Sequence, residues 1–373
     1  GKEQYAQLHP WLHSIAVEYR DPASDVGRFL QKMRGNMQVV TMGVKIATAT
    51  QQIAGILQAV PMLGGPEMAA GVARLLGNPF LLREKSEYIM SKSEFMRTRV
   101  RSFNRDVREF LRRVKDDGVY HKVQRNAFSL VGAMDWAVSS VVWITAYEKA
   151  RAGKVTGIEG GVEVDAVRFA DSVVRQTQSA GLNQDLPLVM RNTEMEKLVT
   201  AFYSYFSVLY NWSAYDQVLG VRKGRLPLYM AAGNFFLIYI LSPLLTEWLA
   251  GRWDKEGEDD EERLQRLLAV VAKSPFSSVP ILRDVANTFN SFYEYSLTPF
   301  EGGVQSVVDL GEDIASGDIL SNERAQKNGA FAIGFVFGLP TAQAYITADY
   351  LRDYAEGEEE GLDLTEALLR DTR

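Results

Sequence analysis

Three stretches of this chain, Ile46–Pro66, Leu226–Thr246 and Asn328–Ala348, each run 21 residues without an Asp, Glu, Lys or Arg. A helix rises about 1.5 Å per residue, so each run is long enough to cross the ~30 Å hydrocarbon core of a bilayer. A chain that carries three such runs must pack them against one another or offer them to apolar surroundings. No alternating strand pattern with a two-residue hairpin turn accompanies them. The expected fold class is all-α: an elongated multi-helix bundle with several long apolar helices and no substantial β-sheet.

The runs differ in kind. In the middle one, LPLYMAAGNFFLIYILSPLLT, Asn234 is the sole amide side chain, and seven aromatics between Phe202 and Tyr215 precede it. Arg222, Lys223 and Arg225 stand just upstream, which resembles an interfacial belt with a cationic anchor. Pro243 is tolerated in a bilayer where neighbours satisfy the freed carbonyl. The third run carries Gly334 and Gly338 in a GxxxG spacing that lets helices approach closely, and Pro340 kinks or ends it. The first holds Gln51, Gln52 and Gln58 and suits a bundle stave better than a lipid-facing span. Two readings follow: buried helices of one large soluble bundle, or insertion into a membrane at some stage. A mean hydropathy of −0.13 is low for a permanent multi-span protein. A chain soluble in one setting and inserting in another reconciles length with composition.

Between the runs, charge is segregated. A long helix is expected over Val26–Val60, closed by Pro61, Gly64, Gly65 and Pro66, and a short one over Met68–Leu76. Residues 80–125 form the clearest amphipathic stretch, with Val100, Phe103, Val107, Phe110 and Val114 spaced three or four apart. Residues 83–125 carry thirteen Lys or Arg against seven Asp or Glu. That helix is expected to stop near Asp117-Gly118. The apolar stretch 126–150 encloses Asp135, and Gly153, Gly157, Gly160 and Gly161 mark a flexible boundary before a helix over 165–180. Residues 253–263 hold seven acids against two bases, an exposed loop. The expected organisation is 1–78 (N-terminal apolar helices), 79–152 (basic and apolar helices), 162–252 (aromatic-rich helices and apolar run), 253–263 (acidic loop), 264–351 (C-terminal helices) and 352–373 (acidic tail). Gly1, with no secretory pattern after it, reads as the start of a processed chain or a fragment.

Catalytic constellations are scarce. Without cysteine there is no disulfide framework, thiolate metal site or cysteine nucleophile. His9 and His13 share a helical face but lack the glutamate of a zinc hydrolase motif, and a structural role is favoured. Gly157 to Gly161 is too irregular for a dinucleotide loop, and neither a phosphate-binding GxxxxGK[ST] nor a GxSxG elbow occurs. No catalytic, cofactor or metal residues are therefore assigned. Asp135 reads either as a pore or relay carboxylate or, more simply, as a buried acid paired with Arg125 or Arg151. A net charge of −6 gives no global attraction to nucleic acid, so such contact needs a local patch. Candidate contacts to DNA or lipid headgroups are Arg97, Arg99, Arg101, Arg105, Arg108, Arg112 and Arg113, with Arg222, Lys223 and Arg225. The simpler reading of the first seven is a solvated face paired with nearby acids.

Several motifs occur in a suggestive order. They are Ser91-Lys-Ser-Glu-Phe95-Met-Arg-Thr-Arg99, Asp135-Trp136 with Trp143 and Tyr147, and Ala170-Asp171 leading to Val174-Arg-Gln-Thr-Gln178. Asp185-Leu-Pro187, Phe202-Tyr-Ser-Tyr-Phe206 with Tyr210-Asn211, and Gly338-Leu-Pro-Thr341 follow. Over roughly residues 80–351 the chain resembles the helical C-terminal region of large phage polyvalent and internal virion (ejection) proteins. The resemblance implies a non-enzymatic region packaged in the capsid and delivered into the host during genome ejection, within an envelope-spanning conduit. It implies sister subunits, other virion core or portal proteins, host membrane and phage DNA as partners, and no cofactor. A docking module of a larger virion enzyme, and a pore protein unrelated to phage, are the alternatives.

Overall fold

The computed structural model describes residues 22–356 except 79, 100–101, 115–117, 179–180, 188–189, 202–203, 250–251, 254–258, 278–298 and 317–322, together with five isolated positions before 22. His13, Arg101, much of the 5–20 helix, most of the acidic loop and the 357–373 tail lie outside the described residues. Every regular element described is helical and no strand occurs among them.

The expected 26–60 helix is broken. Ser24 accepts a hydrogen bond from the Gly27 amide and caps a helix over Asp25–Met42, in the manner of an N-cap. The chain then turns at Gly43, and Val44 takes a left-handed φ of 61°. A Cβ on Gly43 would lie about 3 Å from Pro340 and Ala127, and the Val44 amide donates to the Ala127 carbonyl at 2.8 Å. The break is imposed by this approach of distant backbone. Three short pieces follow, Ile46–Gln51, a 3-10 turn over Gln52–Gly55, and Ile56–Leu63. A helix over Gly65–Gly77 comes next.

The helix Ser129–Arg151 is the axis of the main core. Val131, Trp136, Val141, Val142, Trp143 and Ala146 are buried on most sides of it, which explains why its sequence is apolar around most of its surface. Gly71 lies so near it that a Cβ there would meet Thr145 and Val141. Trp143 stacks on Tyr147 at 5.0 Å, while its indole N–H donates to Asp171 at 2.7 Å. The same Asp171 oxygen accepts from Ser93 at 2.6 Å. The helix Glu163–Thr177 supplies Ala166, Ala170, Val173 and Val174 to this core. The glycine-rich linker thus joins two helices that share one core; it does not separate two cores.

A second core gathers Val39, Phe103, Val107, Phe110, Phe128 and Val131. The third uncharged run is also split: Glu323–Phe337 ends where Gly338 takes φ 67°, and Thr341–Glu356 begins after Pro340. Gly334 faces Val40 and Thr341, and Gly338 faces Asn36 and Gln124, each too closely for a side chain. Of the three runs only the middle one is a single unbroken helical span, Leu228–Leu249.

Candidate functional site

The amphipathic 80–125 stretch is not one helix. It is divided into Leu81–Lys92, Glu94–Arg99, Arg105–Arg113 and Val119–Asn126. Asn104 caps the third piece, its side-chain oxygen accepting from the Asp106 amide at 2.8 Å and the Val107 amide at 3.3 Å. This segmentation turns several arginines inward, so they do not form one basic face. Arg99 is 1% exposed and donates to Asp135 at 2.9 Å and to Ser139 at 2.7 Å. The partner of Asp135 is therefore Arg99, neither Arg125 nor Arg151. Burial pushes the Asp135 carboxyl above the usual carboxylate range, opposed by Arg99.

Arg105 and Arg108 are buried as well. Arg105 donates to Asp106, to the Met190 and Lys197 carbonyls, and to the Thr200 hydroxyl. Its neighbour Asp106 also accepts from Arg34, which reaches Glu109 at 2.6 Å and Glu194 at 2.8 Å. Lys197 completes the cluster, 3.0 Å from both Glu109 and Glu194. Three cations thus meet three carboxylates away from water. A capping box between Thr193 and Glu196 starts the Glu194–Val199 helix and sets Glu194 and Lys197 one turn apart, facing the helices that carry Arg34 and Glu109. Burial opposes ionisation of Glu109, but Arg34 and Lys197 overcome it and hold its carboxyl at about 2. Burial also opposes the charge on Arg34, yet Asp106, Glu109 and Glu194 raise its pKa above the ordinary value. Removing one member of such a cluster strands a buried charge, typically at a cost of about 3–5 kcal/mol.

Arg99, Arg105 and Arg108 are consequently withheld from phosphate. Arg112 and Arg113 are half-buried, with Arg113 over the Phe110 ring, and Arg97 is exposed beside Glu94. Sequence reasoning did not single out Arg34, Glu194 or Lys197. The Thr193-x-x-Glu196 capping signature was the available signal for the last two.

The second candidate is an arm made from the middle run. The chain rises through Ser204–Asn211, a π-helical stretch Trp212–Val218, and Leu219–Arg222. It reverses at Gly224, whose φ is 66°, where the Gly220 carbonyl accepts from the Arg225 and Leu226 amides. It returns through Leu228–Phe236, a second π-helical stretch Leu237–Leu241, and Ser242–Leu249. The widened turn precedes Pro243, which has no amide to donate and would crowd a regular turn.

Inside the arm, Trp212, Phe235 and Tyr239 pack together, and Asn234 donates to Gln217 at 2.9 Å. The one amide of the run is thus satisfied within the arm. Ser213 and Tyr239 pair their hydroxyls at 2.5 Å. Outside, Leu228, Tyr229, Met230, Phe236 and Trp248 are exposed, as are Tyr210 and Tyr215. Arg222, Lys223 and Arg225 are exposed at the tip. A cleft of about 820 Å³ lies along the arm, walled by Ala214, Val218, Ala232, Phe236 and Ile240 and closed on one side by Val271 of the Asp260–Ser277 helix.

Among the described residues no three His, Asp or Glu side chains converge as a metal site. The fold and this arm define an all-α protein that, among the described residues, turns an apolar hairpin outward. The chain matches no family model, no curated protein and no solved structure.

Proposed function

We propose that this chain is a non-enzymatic helical region of a phage internal virion protein, delivered during genome ejection, whose 204–249 arm inserts into the host envelope. The observation that carries the reading is the environment of Leu228–Leu249: 22 residues long, able to span a bilayer by length and composition, with only 22% of its most apolar window buried. In water such a surface is costly, at roughly 25 cal/mol per Å² of apolar area. Contiguous exposed apolar surface rimmed by polar groups marks interaction sites. The cationic tip and the exposed tyrosines suit an interface with lipid headgroups. The order of motifs along residues 80–351 supplies the viral context. In that context the chain is carried inside the virion and works in the host envelope or periplasm, with sister subunits and core or portal proteins as neighbours. Contacts to phage DNA then fall to the exposed cations Arg97, Arg222, Lys223 and Arg225.

Flotation of the full chain with liposomes, followed by a carbonate wash, tests insertion. The protein is expected to float and to resist the wash, and Leu228→Glu with Tyr229→Glu to abolish both. Complete recovery as a lipid-indifferent protein overturns the reading. Binding to a portal or core protein through the same residues would instead favour a docking module, because exposed Tyr, Met and Trp are also favoured at protein interfaces.

A further inference from the structure

The cleft on the arm has features that surface exposure alone does not explain. Its volume, about 820 Å³, falls within the roughly 300–1,000 Å³ range of small-molecule sites. Both π-helical stretches border it: Ser213, Ala214 and Val218 come from the first, and Tyr239 and Ile240 from the second. Single π turns inside α-helices recur at functional sites. The wall is mostly apolar, and of its three hydroxyls Ser213 and Tyr239 satisfy each other while Tyr210 stands at the end away from the tip, so a polar ligand has little to bond along the cleft's length. The cleft follows the helices from Tyr210 to Val218 and from Ala232 to Ile240, a length on the order of 10 Å.

No charged residue lines the cleft itself, but its Val218 end lies next to the cationic tip of the arm. Arg222 stands four residues beyond Val218, one turn further along the same helix face. Across the turn Arg225 and Lys223 are exposed. The acid near them is Asp216, which lies within electrostatic range of Arg225, leaving the tip cationic. An apolar channel that ends beside a cationic tip complements a molecule with an alkyl tail and an anionic head.

We infer that the cleft between the two π-helical stretches seats the alkyl chain of a single fatty acid, with its carboxylate at Arg222 and Arg225. The inference rests on the reading of the arm as lipid-facing and names the lipid chemistry it takes. It adds a stoichiometric site to what would otherwise be general partitioning into a bilayer.

The test uses the full chain in detergent-free buffer, titrated with 11-(dansylamino)undecanoic acid, whose emission shifts to the blue in an apolar site. Saturable binding at one probe per chain is expected. Ala232→Trp, a change at an exposed wall position, fills the cleft and is expected to weaken binding at least tenfold with unchanged circular dichroism. Arg222→Gln with Arg225→Gln is expected to weaken it at least fivefold, and the uncharged dansyl-undecanol to bind wild type more weakly and ignore that change. Non-saturating uptake, equal binding of acid and alcohol, undiminished binding by Ala232→Trp, or exclusion of the probe by a second copy of the chain overturns the inference. Flotation on neutral phosphatidylcholine vesicles separates the two readings. If Ala232→Trp floats like wild type while wild type binds no probe, the arm reading survives and the cleft assignment falls. Stoichiometric probe binding without flotation supports the cleft and removes bilayer insertion.

Discussion

Two helices of this protein have nearly the same apolar character and opposite surroundings. The stretch 119–151, which ends in the Ser129–Arg151 helix, has 67% of its most apolar window buried; for Leu228–Leu249 the figure is 22%. The first is encircled by the 46–77 helices and by Glu163–Thr177, and its buried acid, Asp135, is paired to Arg99. The second is covered on one side by its own hairpin partner and by Asp260–Ser277 and leaves Leu228, Tyr229 and Trp248 outside. Apolar composition therefore specifies an environment, and the packing partners decide whether the protein or something else provides it.

Substitutions of like kind in the two helices sharpen the contrast. Trp143, fully buried, and Trp248, 61% exposed, are the most direct pair. Trp143→Ala is expected to lower the unfolding free energy by about 3–5 kcal/mol, and Trp248→Ala to change it by less than about 0.5 kcal/mol, both read by urea denaturation. Arg99→Met strands Asp135 and is expected to cost a similar ~3–5 kcal/mol. Arg99→Met with Asp135→Leu is expected to recover most of that loss, whereas Arg225→Ala at the arm tip leaves stability unchanged.

The buried charge cluster adds a pH dependence. Glu109 is held at about 2 in the folded chain against an ordinary value of 4.5. A depressed acid contributes stability that is fully present above its unfolded value and is lost as pH falls through the folded one. Stability is therefore expected to fall between about pH 4.5 and 2, by roughly 3 kcal/mol from this group. Glu109→Gln is expected to be less stable at neutral pH and to flatten that slope. Two glycines extend the contrast on a smaller scale than the buried charges. Gly334 faces Thr341 and Val40 too closely for a Cβ, while Gly233 in the arm has nothing within 4 Å. Thermal melts are expected to show Gly334→Ala destabilised by about 1–3 kcal/mol and Gly233→Ala stabilised by about 0.5–1 kcal/mol.

What could be read from the sequence follows the range of the forces involved. Helical periodicity is local, so the all-α class and the Glu163–Thr177 helix were legible, as was Asp135 as a buried acid. The partners were not. Arg34 meets Glu194 across 160 residues of chain, and no spacing rule encodes that encounter. The same holds at Val44, whose left-handed turn answers to the Ala127 carbonyl and is invisible to propensity. Seven arginines in one basic segment left two readings, a phosphate-binding face or a solvated face paired with nearby acids; in space Asp106 and Glu109 lie inside with Arg34 and Arg105, away from solvent. The middle run was legible as the best spanning candidate, since Asn234 was its only amide. Its pairing with Gln217 and the cleft beside it needed the hairpin.

Because the chain has no cysteine, single cysteines can be placed and labelled without background. Tyr229→Cys on the arm and Ala133→Cys, an exposed position on the central helix, each carrying a nitrobenzoxadiazole label, test the account most directly on vesicles that contain doxyl-quencher lipids. Strong quenching and a blue shift at position 229, with neither at 133, is the expected result. Equal quenching at both positions, or none at 229, contradicts it.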